Sequence, residues 1–341
     1  MNMHQVIEET LVPHTAFVNA LDRVNQCYQY AHLSPEPTCV AVIGESRTGK
    51  SRVLEEVSGA RPKRRTPEGL LVPSLYLKLP SNPTVKNVVT HLLNYMEDPR
   101  YDSGTEYARS IRLGKLMRNA GTRAVILDEF QHFYDKRLNT VSEVTDWLKI
   151  FVEEAKVSLI IGGLPSCKAI INQNEQLSGR FLQPIVMPRF SWVDMDSRAE
   201  FLGIVDAFGD SLRRYFKTPE MASEEMGFRF FCATGGLIGY LTKMLRQAVW
   251  DASSAACSTI TLENFAEAHK KALWNESTLP NGVSPFSREF LLTPSKDILN
   301  AVGTVGIPTE APTKRPSRRS NVAAVAPALS ARGNANFVMG G

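Results

Sequence analysis

Apolar positions along the chain fall into two regimes, which change over near residue 190. In the first, short apolar runs alternate with amphipathic stretches. Residues 14–31 place Phe17, Leu21, Val24 and Tyr28 at three- and four-residue spacing, which predicts a helix with one buried face. Ser34, Pro35 and Pro37 end it. Residues 38–43 form a run rich in β-branched side chains, suited to a strand buried on both faces. Gly44 opens a loop, and 50–58 reads as the helix that follows. Further strands are expected at 75–79 (closed by Pro80), 124–127, 157–161 and 184–187, with helices at 84–96, 106–119, 141–155 and 167–177. Strands alternating with helices at this spacing predict a parallel five-stranded α/β sheet covered on both faces.

In the second regime only helical periodicity remains, at 197–208, 220–232, 237–250 and 262–274, enough for a compact helical lid. From about 276 that signal stops, and 303–341 is rich in Pro, Ser, Ala, Gly and Arg. Such a stretch has too little apolar surface to offset the entropy of ordering and reads as a flexible C-terminal tail. The expected divisions are therefore an N-terminal extension at 1–37, an α/β unit at 38–190, a lid at 191–275 and a partner-binding tail at 276–341.

Composition narrows the class little. The 341 residues carry a formal charge of +4, too mild to imply nucleic acid without clustering. No apolar run reaches the roughly 18 residues of a membrane span, and the N-terminus lacks a basic start and apolar core of a secretory signal. The five scattered cysteines (Cys27, Cys39, Cys167, Cys232, Cys257) show no CxxC spacing. Together these features point to a cytoplasmic protein without membrane partners.

The chemistry is concentrated in a few blocks. Gly44-Glu45-Ser46-Arg47-Thr48-Gly49-Lys50-Ser51 matches GxxxxGK[ST] between a predicted strand and helix, a loop whose N–H groups cradle phosphates. Lys50 is expected to meet the β- and γ-phosphates of ATP, and Ser51 to ligate Mg2+. Residues 124–129 (AVILDE) end an apolar strand on two carboxylates. Asp128 is expected in the Mg2+ shell and Glu129 as the base that activates water. Transition-state charge also needs a cation. Arg180, between the fifth strand and the helix before it, is the candidate for an arginine finger; Arg189 competes, and a structural ion pair is the alternative role for Arg180.

GESRTGKS, LDEFQHF, LIIGGLPS, QLSGRF and ATGGLIGYL, in this order over about residues 10–275, resemble the TniB/TnsC-type AAA+ regulators of transposition. The resemblance implies an AAA+ P-loop NTPase core with a helical lid. It further implies ATP-dependent homo-oligomeric rings or filaments on double-stranded DNA, and partnership with a transposase and a target selector, in some systems an RNA-guided CRISPR complex. It places Lys50 and Ser51 in Walker A, Asp128 and Glu129 in Walker B, and Arg180 as the finger. Two departures stand out. The fourth strand ends in Ile161-Gly162-Gly163 without a polar sensor, a role open to Gln131 or Ser166. Tyr240 stands where relatives place a sensor arginine, leaving Lys243 one turn on. A slow, switch-like ATPase is expected.

For DNA, Arg109, Arg112, Lys115 and Arg118 recur every third residue along one helix, and Lys63, Arg64 and Arg65 cluster in a loop. A basic stripe suits sequence-independent binding to phosphates; a solvated helix face is the plain alternative, and the resemblance favours DNA. Ile111, Leu113 and Leu116 are expected on the packed side. A third basic group, Lys314, Arg315, Arg318 and Arg319, follows an apolar island at 285–294, read as a docking segment for a partner. Two other readings remain open: a helicase-loader- or initiator-like ATPase, and a STAND-type signalling switch without DNA.

Overall fold

The apolar runs become the strands of one sheet. The computed structural model describes residues 3–307 except 32, 34, 35, 82, 134–137, 274–278, 280 and 281. Strands β1 (Val40–Gly44), β4 (Ser74–Lys78), β5 (Ala124–Asp128), β6 (Ser158–Gly163) and β7 (Ile185–Met187) pair in parallel in the order β4-β5-β6-β1-β7. Every residue of β1, β5 and β6 is buried, as expected of strands covered on both faces. The expected five-stranded parallel α/β core is thus present. A two-stranded antiparallel hairpin, β2 (Arg64–Thr66) and β3 (Gly69–Leu71), stands outside the sheet, where a loop was expected.

Helices α2 (Thr15–Tyr30) and α3 (Lys50–Gly59) cover one face of the sheet, burying Phe17, Val24, Val53 and Leu54 against Val40, Val42 and Ile126. On the other face lie α4 (Val85–Tyr95), α5 (Glu106–Asn119), α6 (Leu138–Ala155) and the short α7 (Cys167–Ile171) and α8 (Glu175–Ser178). The single helix expected at 167–177 is therefore two. Asn174 breaks it and recaps α8 by accepting from the Leu177 N–H at 2.9 Å.

The lid comprises α9 (Met195–Arg213), α10 (Glu224–Thr234), α11 (Ile238–Ser254) and α12 (Leu262–Ala272) around a core rich in Phe: 201, 208, 228, 230, 231 and 265. Two outer segments join it. The first residues, including α1 (Val6–Glu9), bury Val6 and Ile7 in the lid core. At the other end, the expectation of a tail from 276 is corrected. Phe286 lies 5.2 Å from Phe230 and 5.8 Å from Phe265, ring to ring, and Phe290 packs near Phe228. Arg229 Nη1 donates to the Pro285 and Ser287 carbonyls at 2.6 and 2.8 Å. Helix α13 (Lys296–Gly303) follows, capped by Ser295, with Ile298 and Val302 buried. Phe286 and Phe290 of the apolar island at 285–294 thus pack within the same chain, while Leu291 and Leu292 stay exposed. The basic group Lys314–Arg319 and the rest of 308–341 lie outside the described residues, as do the helix breakers Ser34 and Pro35.

Candidate functional site

The phosphate loop starts where β1, between β6 and β7, leaves the sheet. A Cβ on Gly44 would collide with the Met187 carbonyl, so only glycine lets β1 pass β7 there. Arg47 (φ 71°) and Gly49 (φ 96°) are left-handed, and such alternation turns successive N–H groups toward one point. Lys50 is buried; its Nζ donates to the Glu45 carbonyl at 2.5 Å, and Thr48 Oγ1 donates to the same oxygen at 3.0 Å. Burial pulls the Lys50 pKa down, opposed by the charges of Asp128 and then Glu129.

The carboxylates of Asp128, the last residue of β5, and of Glu129 after it line the same cleft as this loop. Asp128 is 1% exposed; Oδ1 accepts from the Glu129 N–H at 2.8 Å and Oδ2 from the Tyr76 hydroxyl at 3.2 Å. Burial, then the Asp128 charge, pushes the Tyr76 pKa up, so this hydroxyl stays a donor. Glu129 sits at φ 58°. Its Oε2 accepts from Gln131 Nε2, and Lys78 Nζ lies 3.9 Å from Oε1. Gln131 Oε1 in turn accepts from the Leu164 N–H at 3.1 Å. A Cβ on Gly162 would fall 2.8 Å from Asp128 Oδ1, and one on Gly163 would fall 2.5 Å from Gln131 Oε1. The strand end carries no polar side chain because those of its neighbours already fill the space. Of the two sensor candidates, Gln131 lines the cleft and Ser166 does not.

The cleft, about 410 Å³, is lined by loop residues 46, 47 and 49–52 together with Lys78, Asp128, Glu129, Gln131, Leu164 and Gly239. The lid closes it through Gly239, whose N–H donates to the Arg47 carbonyl at 2.9 Å. Lys243 is not among the lining residues, and the Tyr240 ring lies 5.8 Å from the Arg47 guanidinium. A second cavity of about 240 Å³ shares Gly49, Arg52 and Gly239 with the first. Its walls are largely apolar, with Ile7, Leu11 and Phe17 facing Ile204, Phe208 and Ile238. No local motif signals it, because its walls come from the N-terminal segment, the phosphate loop, α9 and α11, which are far apart in the chain.

The remaining candidates lie elsewhere. Arg180 sits at the far end of β1, where its carbonyl accepts from the Cys39 N–H at 2.9 Å. Its guanidinium pairs with Glu153 and donates to the Lys149 carbonyl at 3.3 Å, so it does not reach its own chain's cleft. Arg189 does reach the loop, pairing with Glu45.

The basic stripe on α5 is corrected. Arg109 is buried, donating to Thr90 Oγ1 and to the carbonyls of Asp102 and Gly104. Arg112 pairs with Asp98 at 2.5 Å and with the Arg100 and Ser103 carbonyls. These two arginines tie down the loop before α5 by bonding to its carbonyls. Lys115 and Arg118 remain exposed, Arg118 donating to the Glu154 carbonyl at 3.1 Å, while Ile111 faces solvent rather than the packed side. The second cluster lies on the β2–β3 hairpin, where Lys63 and Arg65 share Glu97 and Arg64 is exposed.

A family model described as "Bacterial TniB protein" matches residues 2–192. The chain belongs to the TniB family, AAA+ ATPases associated with transposition. Solved structures agree with the fold. Aeropyrum pernix ORC2, as ADPNP-ADP complexes, is 13% identical with a TM-score of 0.56, covering 79% of this chain and 71% of that one. Cdc6p from Pyrobaculum aerophilum is 12% identical at TM-score 0.58, covering 80% and 71%. A. pernix ORC1, solved in complex with DNA, is 13% identical at TM-score 0.54, covering 79% and 69%. None of the curated proteins matches the sequence. The TniB chain is an AAA+ P-loop ATPase, and among its described residues no helix is long and apolar enough to cross a membrane.

Proposed function

We propose that this TniB protein is an ATP-dependent oligomeric regulator that assembles on double-stranded DNA and couples target-site selection to recruitment and activation of a transposase. The observation that carries the reading is the single cleft in which loop 44–51, Asp128 and Glu129 converge under the lid. The phosphates lie against the loop, and the base and ribose enter the adjoining apolar cavity. Lys50 leaves the Glu45 carbonyl to meet the β- and γ-phosphates. Glu129, oriented by Gln131, takes the proton of the attacking water on its carboxylate. Both of its oxygens have partners already, which favours slow turnover.

Among the described residues no group of three or more His, Cys, Asp or Glu is placed to hold a metal. Mg2+ needs none, being content with one or two carboxylates, phosphate oxygens and water. Ser51 and Asp128, both lining the cleft, would hold it, and it would supply charge neutralisation on the phosphates. Arg180 would serve a neighbouring subunit's nucleotide after exchanging Glu153 for phosphate. DNA contact falls to exposed cations, namely Lys115 and Arg118 on α5 and Lys63, Arg64 and Arg65 on the hairpin. The fold shared with ORC and Cdc6 proteins favours an initiator- or loader-like ATPase as the second reading.

The test is electron microscopy of the protein with ATP and duplex DNA of arbitrary sequence, beside the Lys50→Ala variant. Rings or filaments that need ATP and vanish in the variant are expected. Protein that stays monomeric on DNA overturns the proposal, whereas assembly confined to one DNA sequence favours the initiator reading.

A further inference from the structure

Arg189 lies two residues beyond β7, between the α/β core and the lid, and every N–H of its guanidinium has an acceptor. Nε donates to the Glu45 carboxylate at 3.1 Å, and Nη2 donates to that carboxylate and to the Val305 carbonyl at 3.1 Å. Nη1 donates to the Gly303 carbonyl at 3.1 Å and the Gly235 carbonyl at 3.4 Å. Those five donors exhaust an arginine's capacity. Gly235 caps the C-terminus of α10, and Gly303 ends α13, so the cation sits at the negative ends of two helices while gripping a residue of the phosphate loop.

We propose that Arg189 is a positioning residue that links nucleotide occupancy of the phosphate loop to the folding of α13. The inference rests on the nucleotide reading of the cleft. Glu45 carries both ends of the link: its carbonyl holds the Lys50 ammonium, and its carboxylate holds Arg189. Phosphate that draws Lys50 away therefore acts on the very residue Arg189 grips. The far end has little slack. A Cβ on Gly235 would fall 2.6 Å from Val305 Cβ, and one on Gly306 would fall 3.0 Å from Leu237 and Tyr240. Interfaces packed this closely shift as units instead of absorbing small displacements. A loop pinned by phosphate offers the Glu45 carboxylate in one place, so Arg189, and α13 with it, opens less often.

The experiment is hydrogen exchange at amides 296–306 of the full chain, with and without a nonhydrolysable ATP analogue and Mg2+. Binding of the analogue is measured in the same samples through a fluorescent derivative. In the wild type, occupancy is expected to slow exchange in α13 by about 5- to 150-fold, the range of ordinary coupling between sites. In Glu45→Gln the carbonyl bonds from Arg189 to α13 remain, so basal protection persists while the response to nucleotide is lost. Arg189→Lys, which keeps a charge beside Glu45 but not the fork, tests the same link from the other side and is expected to lose most of the response. Bound analogue without any change in wild-type α13 overturns the inference alone, as does a full response in either variant. Failure of the wild type to bind the analogue overturns the reading of the cleft and this inference with it.

Discussion

A methyl group on Gly162 would fall 2.5 Å from Leu54 Cδ1 and 2.8 Å from Asp128 Oδ1. One carbon atom there would press on the core and on a cleft carboxylate together. Gly162→Ala is accordingly expected to lower kcat at least about tenfold, with an overpacking cost of roughly 1–3 kcal/mol. Steady-state ATPase assays and denaturant titration would measure the two effects, and unchanged turnover would show that Asp128 tolerates displacement. Such coupling lies beyond sequence. Loop 44–51 and Asp128-Glu129 are legible because their roles depend on neighbours in the chain. Tyr76 and Gln131 reach the same carboxylates from 52 and 2 residues away, and Gln131 is fixed from the other side by Leu164, so their part depends on how β4, β5 and β6 lie together.

Helix α5 shows what periodicity resolves and what it leaves open. Its existence and bounds follow from the pattern, but three-residue spacing of cations does not reveal which of them turn inward. The loop that precedes α5 presents backbone carbonyls, and Arg109 and Arg112 answer them. Arg109→Ala is therefore expected to cost about 1–3 kcal/mol of stability through loss of the hydrogen bonds that its buried guanidinium makes. Lys115→Glu with Arg118→Glu should leave the melting temperature nearly unchanged while weakening DNA binding and flattening its salt dependence. A filter-binding salt series beside thermal melts separates the two outcomes, and equal effects on DNA from both variants would contradict the division. The hairpin escaped detection because strands of three residues carry too short an alternation. Residues 285–305 escaped it because their aromatics meet partners on α10 and α12. Phe286→Ala should cost about 3–5 kcal/mol, visible as a lower denaturation midpoint; a tail residue would cost almost nothing.

Across the whole molecule, the N-terminal segment packs on the lid and closes the apolar cavity beside the phosphate loop, while residues 285–305 pack on the lid without lining that cavity. His14 marks that closure, its ring 5.2 Å from Phe190 and facing Glu200. Burial lowers its pKa from 6.5, with Glu200 opposing. The folded state then binds fewer protons than the unfolded chain just below that value, so stability should be lost as pH drops through that range, by at most ~1.4 kcal/mol per unit. Denaturant midpoints between about pH 7.5 and 5.5, compared with His14→Gln, would measure that share; an identical slope in the variant assigns it to other groups. The position of Val6 and Ile7 also bears on how the protein is made. Domains fold as the chain emerges, N-terminal parts first, yet these two residues bury in the lid core, where α1 packs on α9 and α11. They emerge well before α9 and α11 and are sheltered only after those helices follow. The α/β core can close around β1 while the opening residues wait in water. A nascent chain stopped short of α11 would hold a phosphate loop without Gly239 over its cleft or the cavity wall that Ile238 and Thr242 supply, so the site would be completed late in synthesis, together with the lid.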